Sequence, residues 1–191
     1  MTPSPHRAYL ESLTLQPGIL ESLEAYLDLL GVWGRRTNLT GARTPGDRVR
    51  LLVAEVLPAL PLLDPGPLLD VGSGNGSPGL VLSLFRPGEI ATLLEPRSKR
   101  WAFLREACRV VGRTDITVLR QRHDEYRGAP AQNLTVRALA VPPDDLAALS
   151  LAGGRLLVFG GSPEASRAWA QEDDVELPQS RLHVFRRARF T

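Results

Sequence analysis

The sequence predicts an α/β domain, a mostly parallel sheet with helices on both faces, preceded by a helical extension over residues 1–62. Three observations predict it. Beyond residue 62, short apolar runs alternate with helical stretches, the pattern of strands joined by crossover helices. One of those runs, Leu68-Leu69-Asp70-Val71, passes straight into glycines and then into a helix start at Pro78. The 191 residues are 43% apolar and 23% charged, which suits one ordinary globular domain able to bury a core.

The elements follow in order. From Pro17 to Trp33, Ile19, Leu20, Leu23, Tyr26, Leu27 and Leu30 recur at three- and four-residue spacing, one buried face of a helix. Gly34-Arg35-Arg36-Thr37-Asn38 breaks that pattern. Thr44-Pro45-Gly46-Asp47 then announces a second helix, with Thr as cap, Pro in the first turn and an acid at the third position; it is expected to run to Leu60 and stop before Pro61. Pro65-Gly66-Pro67 marks the passage into the main domain, residues 63–191. Strands are expected at Leu68–Val71, Ile90–Leu94, Ile116–Leu119, Leu134–Val136, Arg155–Phe159 and Arg181–Phe190. Helices are expected at Pro78–Phe85, Arg97–Val111, Pro143–Leu149 and Pro163–Glu172.

Composition narrows the chemistry. A single cysteine, Cys108, excludes an intramolecular disulfide, and it sits mid-helix as a residue expected to be buried and inert. His6, His123 and His183 show no metal-ligand spacing, so no metal is expected. No apolar run reaches the roughly 18 residues of a membrane span, and no basic segment followed by an apolar one opens the chain. A cytoplasmic protein that binds no membrane is expected. The net charge is only +2, from 23 basic and 21 acidic residues, so any basic footprint must be local. Of the 23 basic residues all but Lys99 are arginine, whose fork suits phosphate, although genome composition also sets arginine usage.

The stretch Asp70-Val71-Gly72-Ser73-Gly74-Asn75-Gly76-Ser77-Pro78-Gly79 is the most informative. Glycines let a ligand lie against bare backbone, and in open α/β sheets ligands bind outside the carboxyl ends of the strands. Two ligand classes compete for such a loop. Gly74 to Gly79 fits the Gly-x-Gly-x-x-Gly pattern of dinucleotide sites, a weak signal alone. Asp70, just before the first glycine, gains a bound diphosphate nothing but could accept a hydrogen bond from an ammonium group or a water. The second strand ends in Leu94-Glu95, about the 20 residues on at which an acid holds ribose hydroxyls. An acid before the loop and another on the next strand suit S-adenosylmethionine, which carries a ribose but no phosphate.

The chain also resembles a known family. Asn38-Leu39-Thr40, Asp70-Val71-Gly72-Ser73-Gly74, Ser77-Pro78-Gly79, Arg86-Pro87, Leu93-Leu94-Glu95, Lys99-Arg100, Phe103-Leu104-Arg105 and Arg137-Ala138 stand in the order and spacing of the bacterial small-subunit ribosomal RNA methyltransferase G family, also called glucose-inhibited division protein B. The resemblance covers residues 21–161 and implies a seven-stranded Rossmann-like class I methyltransferase fold with a helical N-terminal extension. It implies methyl transfer from S-adenosylmethionine to guanine N7 in 16S rRNA of the small ribosomal subunit. By that resemblance Gly72 and Ser77 line the methionine part of the cofactor, Gly74 and Gly76 shape the loop, and Glu95 takes the ribose. His123 and Asp124 stand where the family holds the adenine ring. Arg137 falls beside the cofactor and the reaction centre, as the candidate catalytic residue; the plainer role for it is an ion pair with Asp124 or Glu125.

RNA contact is expected from Arg35, Arg36, Asn38 and Arg43 and from Lys99 and Arg100, with Arg48, Arg50, Arg97 and the tail residues Arg186, Arg187 and Arg189 as further basic groups. Trp33 and Trp101 are expected to pack in the core. Guanine N7 has an in-plane lone pair and no proton to lose, so such a transfer needs alignment rather than a general base. The chain departs from the family where Gly160 replaces a common lysine after the fifth strand. It departs again where Leu51 to Val56 replace an Arg-His-Ile-Leu-Asp-Ser run, and where Gln132 or Asn133 replaces an acid. Two rivals therefore remain, a non-catalytic RNA- or ribosome-associated member of the fold and, from the glycine pattern alone, an NAD-dependent oxidoreductase. A monomer is expected.

Overall fold

The computed structural model describes residues 4–188. A short helix α1 (Arg7–Glu11), which the apolar spacing does not announce, precedes α2 (Pro17–Trp33). In α2 the residues expected to face inward do so: Leu23, Tyr26, Leu27 and Leu30 have no exposed surface. The cap expected at Thr44 is present, its Oγ1 accepting a hydrogen bond from the Asp47 N–H at 3.1 Å and opening α3 (Pro45–Val49). The helix expected to continue to Leu60 does not. It loosens into a π-helical turn at Arg50–Ala54 and tightens into a 3-10 turn at Leu57–Leu62 that runs through Pro61. Pro58 and Pro61 have no N–H to give an α ladder, and the shorter-period turn tolerates them.

Seven strands follow, β1 (Leu68–Val71), β2 (Ala91–Leu94), β3 (Thr117–Leu119), β4 (Ala131–Arg137), β5 (Ser150–Phe159), β6 (Trp169–Glu176) and β7 (Arg181–Arg187). They form one sheet in the order β3-β2-β1-β4-β5-β7-β6. The first five are parallel, while β7 runs antiparallel to β5 and β6 antiparallel to β7. Strand order therefore reverses between β1 and β4, where a crevice opens at the carboxyl ends.

The helix expected at Pro163–Glu172 is absent. Residues 162–166 have no regular structure and Trp169–Glu176 is an edge strand paired with β7. Its polar run offers no period of its own. Burial of Trp169 at one end and the ladder to β7 decide its conformation. The last strand ends at Arg187, and the remainder of the expected Arg181–Phe190 strand, Arg189 and Phe190, lies outside the described residues.

The two sheet faces are covered differently. Helices α4 (Gly79–Leu84) and α5 (Ser98–Val110) share one apolar cluster with the N-terminal helices and with Leu68, Leu93 and Leu157. The other face, Leu69, Val71, Leu134, Val136 and Leu156, is covered by Leu146 and Leu149 of a 3-10 turn (Pro143–Leu149) and by Trp169. No α-helix packs there among the described residues. The expectation of helices on both faces holds for one face, because the segments after β3 and β4 lack an apolar stripe long enough for an α-helix.

Helix α4 presses hard on β1. A Cβ at Gly79 would lie 2.4 Å from the Asp70 Cβ, a position backbone alone can occupy. Asp70 itself is 1% exposed; its Oδ1 accepts from Thr135 Oγ1 at 2.6 Å and its Oδ2 has no partner among the described residues. Burial pushes its carboxyl up to about 6, against the pull of the Thr135 hydrogen bond and the Arg137 charge.

Gly79→Ala is expected to destabilise the protein by at least about 2 kcal/mol in urea unfolding, because the overlap outweighs the ~1 kcal/mol of helix propensity that alanine brings. Asp70 has its folded pKa above its unfolded value of 3.8, so the folded state keeps a proton that the unfolded chain releases. Stability from this group is full below about pH 4 and falls as pH rises to about 6. Between those values, thermal melts are expected to show Asp70→Asn gaining about 2–3 kcal/mol relative to wild type. Parallel profiles would show that Asp70 titrates as an ordinary carboxylate.

Candidate active site

The crevice at the carboxyl ends of β1, β2 and β4 holds a cavity of about 1250 Å³. The glycine loop forms its floor. The Gly72 and Ser73 N–H groups donate to the Leu94 carbonyl at 2.9 and 2.8 Å, so the loop leaves β1 by folding over the end of β2. Gly74 (φ +53°) then turns its N–H onto Glu95 Oε2 at 3.0 Å, while Glu95 Oε1 accepts from the Arg97 N–H at 2.8 Å. Glu95 is 3% exposed, and these two contacts leave other lone pairs of a four-site carboxylate toward the cavity.

The N-terminal extension closes the other side. Tyr26, wholly buried on α2, donates to the Asn75 carbonyl at 2.8 Å. Burial pushes its phenol far above the ordinary tyrosine range, so it stays a donor. The Asn75 side chain donates to the Leu39 carbonyl at 3.1 Å and accepts from the Ser77 N–H at 3.0 Å. Residues 38–41 are thereby strapped to the loop as one wall, and Arg100 Nη2 donates to the Asn38 carbonyl at 3.1 Å from α5. Ser77 Oγ donates to the Leu52 carbonyl at 2.8 Å, in the π-helical turn, and accepts from Arg137 Nη1 at 3.0 Å. Irregular turns of that kind are frequent at functional sites.

Arg137 lies at the end of β4, half-buried on the cavity wall. Burial pulls its guanidinium below the usual arginine range, and the nearby charge of Glu55 is the largest effect opposing that pull. It makes no ion pair with Asp124 or Glu125: Asp124 pairs with Arg122 at 3.1 Å, and Glu125 accepts from the Arg122 N–H. Glu55, with no exposed surface, also fixes the β6–β7 turn by accepting from Gln179 N–H and Ser180 Oγ.

Among the residues singled out in the sequence, Gly72, Gly74, Ser77, Glu95, His123, Asp124, Arg137, Asn38 and Arg100 are brought together on this wall. Asp70 and Gly76 are not on it; they lie beneath the loop as support, Asp70 against α4 and Gly76 against Leu80 and Leu104. Arg35, Arg36, Arg43 and Lys99 are exposed outside the cavity. Arg50 pairs with Asp47, and Arg186 with Asp64 and Glu172, so these charges are already neutralised. Arg189 lies outside the described residues. Gly160 is not on the wall either, so its replacement of a lysine does not open the cavity. Trp33 packs edge-on against Phe103, but it and Trp101, both expected in the core, are only half-buried. Cys108 is 3% exposed, and burial pushes its thiol up to about 12.

Sequence reasoning missed the other wall residues, Leu51, Leu52, Gln121, Arg122, Asp145 and the loop Ala138–Pro142. Leu51 and Leu52 fall in the run that departs from the family's pattern, and nothing local marks the loop after β4. Tyr26 was also read only as part of a buried face. The asparagine at 38 carried a signal, since it lies in the strap, but the strap's attachment to Asn75 depends on contacts 36 residues apart.

No helix among the described residues is long and apolar enough to cross a membrane, and no group of three or more His, Cys, Asp or Glu side chains is placed to hold a metal ion. The fold is that of solved methyltransferases. An RNA methyltransferase from Salinibacter ruber, determined in complex with S-adenosyl-L-homocysteine, superposes with a TM-score of 0.59 at 17% identity, over 71% of this chain and 90% of that one. In sequence, the chain is 38% identical over 174 residues to a ribosomal RNA small subunit methyltransferase G from Alkalilimnicola ehrlichii, covering 88% of this chain and 76% of that protein. It is 34% identical to the protein of the same name from Stenotrophomonas maltophilia, covering 88% and 79%. The model of the family rRNA small subunit methyltransferase G matches residues 19–185, and with this fold, this cavity and these relatives the chain belongs to that family.

Proposed function

We propose that the protein transfers a methyl group from S-adenosylmethionine to N7 of a guanine in 16S rRNA, as a cytoplasmic monomer acting on the small ribosomal subunit. The observation that carries this reading is the single cavity in which the glycine loop, Glu95, residues 121–124 and Arg137 converge. At about 1250 Å³ it exceeds the roughly 300–1,000 Å³ of ordinary ligand sites, which leaves room for a nucleoside cofactor and an incoming base together. The groups on the wall fit the cofactor. Glu95 offers a buried carboxylate to two ribose hydroxyls, the backbone of 72–77 lies bare for the methionine part, and His123 and Asp124 stand at the adenine end. The Gly74 N–H, which a diphosphate would need, is taken by the Glu95 carboxylate, which disfavours the dinucleotide reading.

When bound, S-adenosylmethionine supplies a methyl group already activated on a positively charged sulfur. The residues of this chain then have two tasks. Glu95 and the strap hold the cofactor end against the loop, and Arg137, fixed by Ser77 and balanced by Glu55, orients the base at the mouth. Because guanine N7 carries no proton, no side chain needs to act as a base, and the wall's aliphatic Leu39, Leu51, Leu139 and Val141 exclude water from the line of transfer. Arg35, Arg36, Asn38, Arg43, Lys99 and Arg100 form the RNA-facing rim, so binding falls steeply with salt.

Gly74→Asp is the sharpest test of the loop. Its positive φ tolerates aspartate and its Cβ would meet nothing closer than 3.6 Å, so the fold survives while the new carboxylate enters the cavity. Calorimetry with S-adenosylmethionine is expected to show at least about 100-fold weaker binding with an unchanged circular dichroism spectrum, two decades costing about 3 kcal/mol. Unchanged affinity would place the cofactor elsewhere. Radiolabelled transfer onto small subunits lacking the modification, followed by chain cleavage at N7-methylguanine, tests the reaction. There, Arg137→Ala is expected to lower kcat by about 100-fold or more through lost alignment. A wild-type protein that binds cofactor but transfers nothing would favour the non-catalytic reading.

A further inference from the structure

The solvent side of α5 carries a stripe that leads away from the cavity. Arg97 at its start, then Trp101, Arg105 and Arg109, recur every four residues and so share one face. Arg97 lies on the wall of the main cavity, while Trp101, Arg105 and Arg109 line a second hollow of about 570 Å³ beside β3. The two hollows share no lining residue, but Arg97 on one and Trp101 on the other are one helical turn apart.

The details of this face fit a negatively charged strand. Trp101 Nε1 donates to the Val118 carbonyl at 3.2 Å, so a side chain covers part of the open edge of β3 and hinders another β-strand from pairing there. The Arg105 guanidinium carbon sits 5.0 Å from the centre of the Trp101 ring, a cation–π contact that occupies none of its N–H groups. Arg105 has no carboxylate partner among the described residues. Arg109 has only Glu106, at 4.0 Å, and its side chain is 70% exposed. This contrasts with Arg50, Arg86, Arg155 and Arg186, each held by a carboxylate at 3.0 Å or less. Four residues of helix separate Arg105 from Arg109 by about 6 Å along the axis, comparable to the step between neighbouring phosphates of a nucleic acid strand. Arg120 continues the same positive edge, its Nε donating to the carbonyl of Pro96 on the cavity wall at 3.4 Å.

We propose that this stripe is a second RNA-binding track, on which Arg105 and Arg109 hold successive phosphates of the strand that flanks the nucleotide entering the cavity. Trp101 acts there as the platform that presets Arg105, not as a base-stacking residue. The inference rests on the RNA-methylating reading of the main cavity, and it adds the path by which the substrate leaves it. Contacts of this kind read backbone and not sequence.

The test compares wild type with Arg105→Ala/Arg109→Ala, using protein-free 16S rRNA and intact small subunits as probes across a salt series. The pair is expected to weaken RNA binding at low salt by at least tenfold and to reduce the slope of log affinity against log salt by about 1.5, since each lost phosphate contact removes about 0.7–0.9. Calorimetric affinity for S-adenosylmethionine and the melting temperature are expected to stay unchanged, and KM for RNA to rise while kcat holds. An unchanged slope and affinity would overturn the track. So would weaker binding to intact subunits with unaltered binding to protein-free RNA, which would assign the face to a ribosomal protein. If wild type transferred no methyl group yet showed the arginine-dependent slope, the catalytic reading would fail and the track would stand.

Discussion

The hydrogen bond from the Gly74 N–H to Glu95 is the interaction on which the site depends. Glu95 is buried at the end of β2, and a buried carboxylate without donors is costly. Its two oxygens are met by two backbone N–H groups, one in the glycine loop and one at Arg97, where α5 begins. A single side chain therefore shapes the loop that faces the ligand and fixes the start of the helix that carries the basic stripe. Burial makes both contacts strong, because water cannot compete for the carboxylate.

The N-terminal extension is part of the same construction. Tyr26, Asn75 and Ser77 place one hydrogen bond each between the extension and the loop, to or from residues 25 to 49 positions away. Losing a partner for a buried hydroxyl such as that of Tyr26 costs about 1–3 kcal/mol, comparable to a sizeable fraction of a domain's net stability. The extension also shares one apolar cluster with α4, α5 and a sheet face, so it is packed as core and not as an appendage. A cavity built between two such segments can be formed only when both are folded.

The uneven covering of the sheet has a consequence for the site. On the face without an α-helix, the connections after β3 and β4 are loops with short 3-10 turns, and these supply His123, Asp124, Leu139 and Asp145 to the wall. Loops bring side chains to a ligand more freely than helices do, while the helical face supplies rigidity. The division leaves one stiff side, with the loop and Glu95, and one adaptable side, with Arg137 at the junction.

Much of this was legible in the chain itself. The order of strand, glycine loop, helix and second-strand acid is a local pattern, so Leu68 to Glu95 could be placed on their elements and toward one ligand from spacing alone. The buried face of α2 and the Thr44 cap were equally readable, since they depend on neighbours within a few residues. What tertiary structure decided is everything that depends on distant partners. It made a strand of Trp169–Glu176, whose polar run acquires its conformation from β7, and it turned the expected helix end into π and 3-10 turns around Pro58 and Pro61. It set Asp70 beneath the loop and off the cavity wall, because α4 closes over it at Gly79. It also drew Tyr26, from an apparent core, and Leu52 into the support of the site. Periodicity records which face of an element is apolar; it does not record which remote backbone group will meet a side chain once the chain has closed on itself.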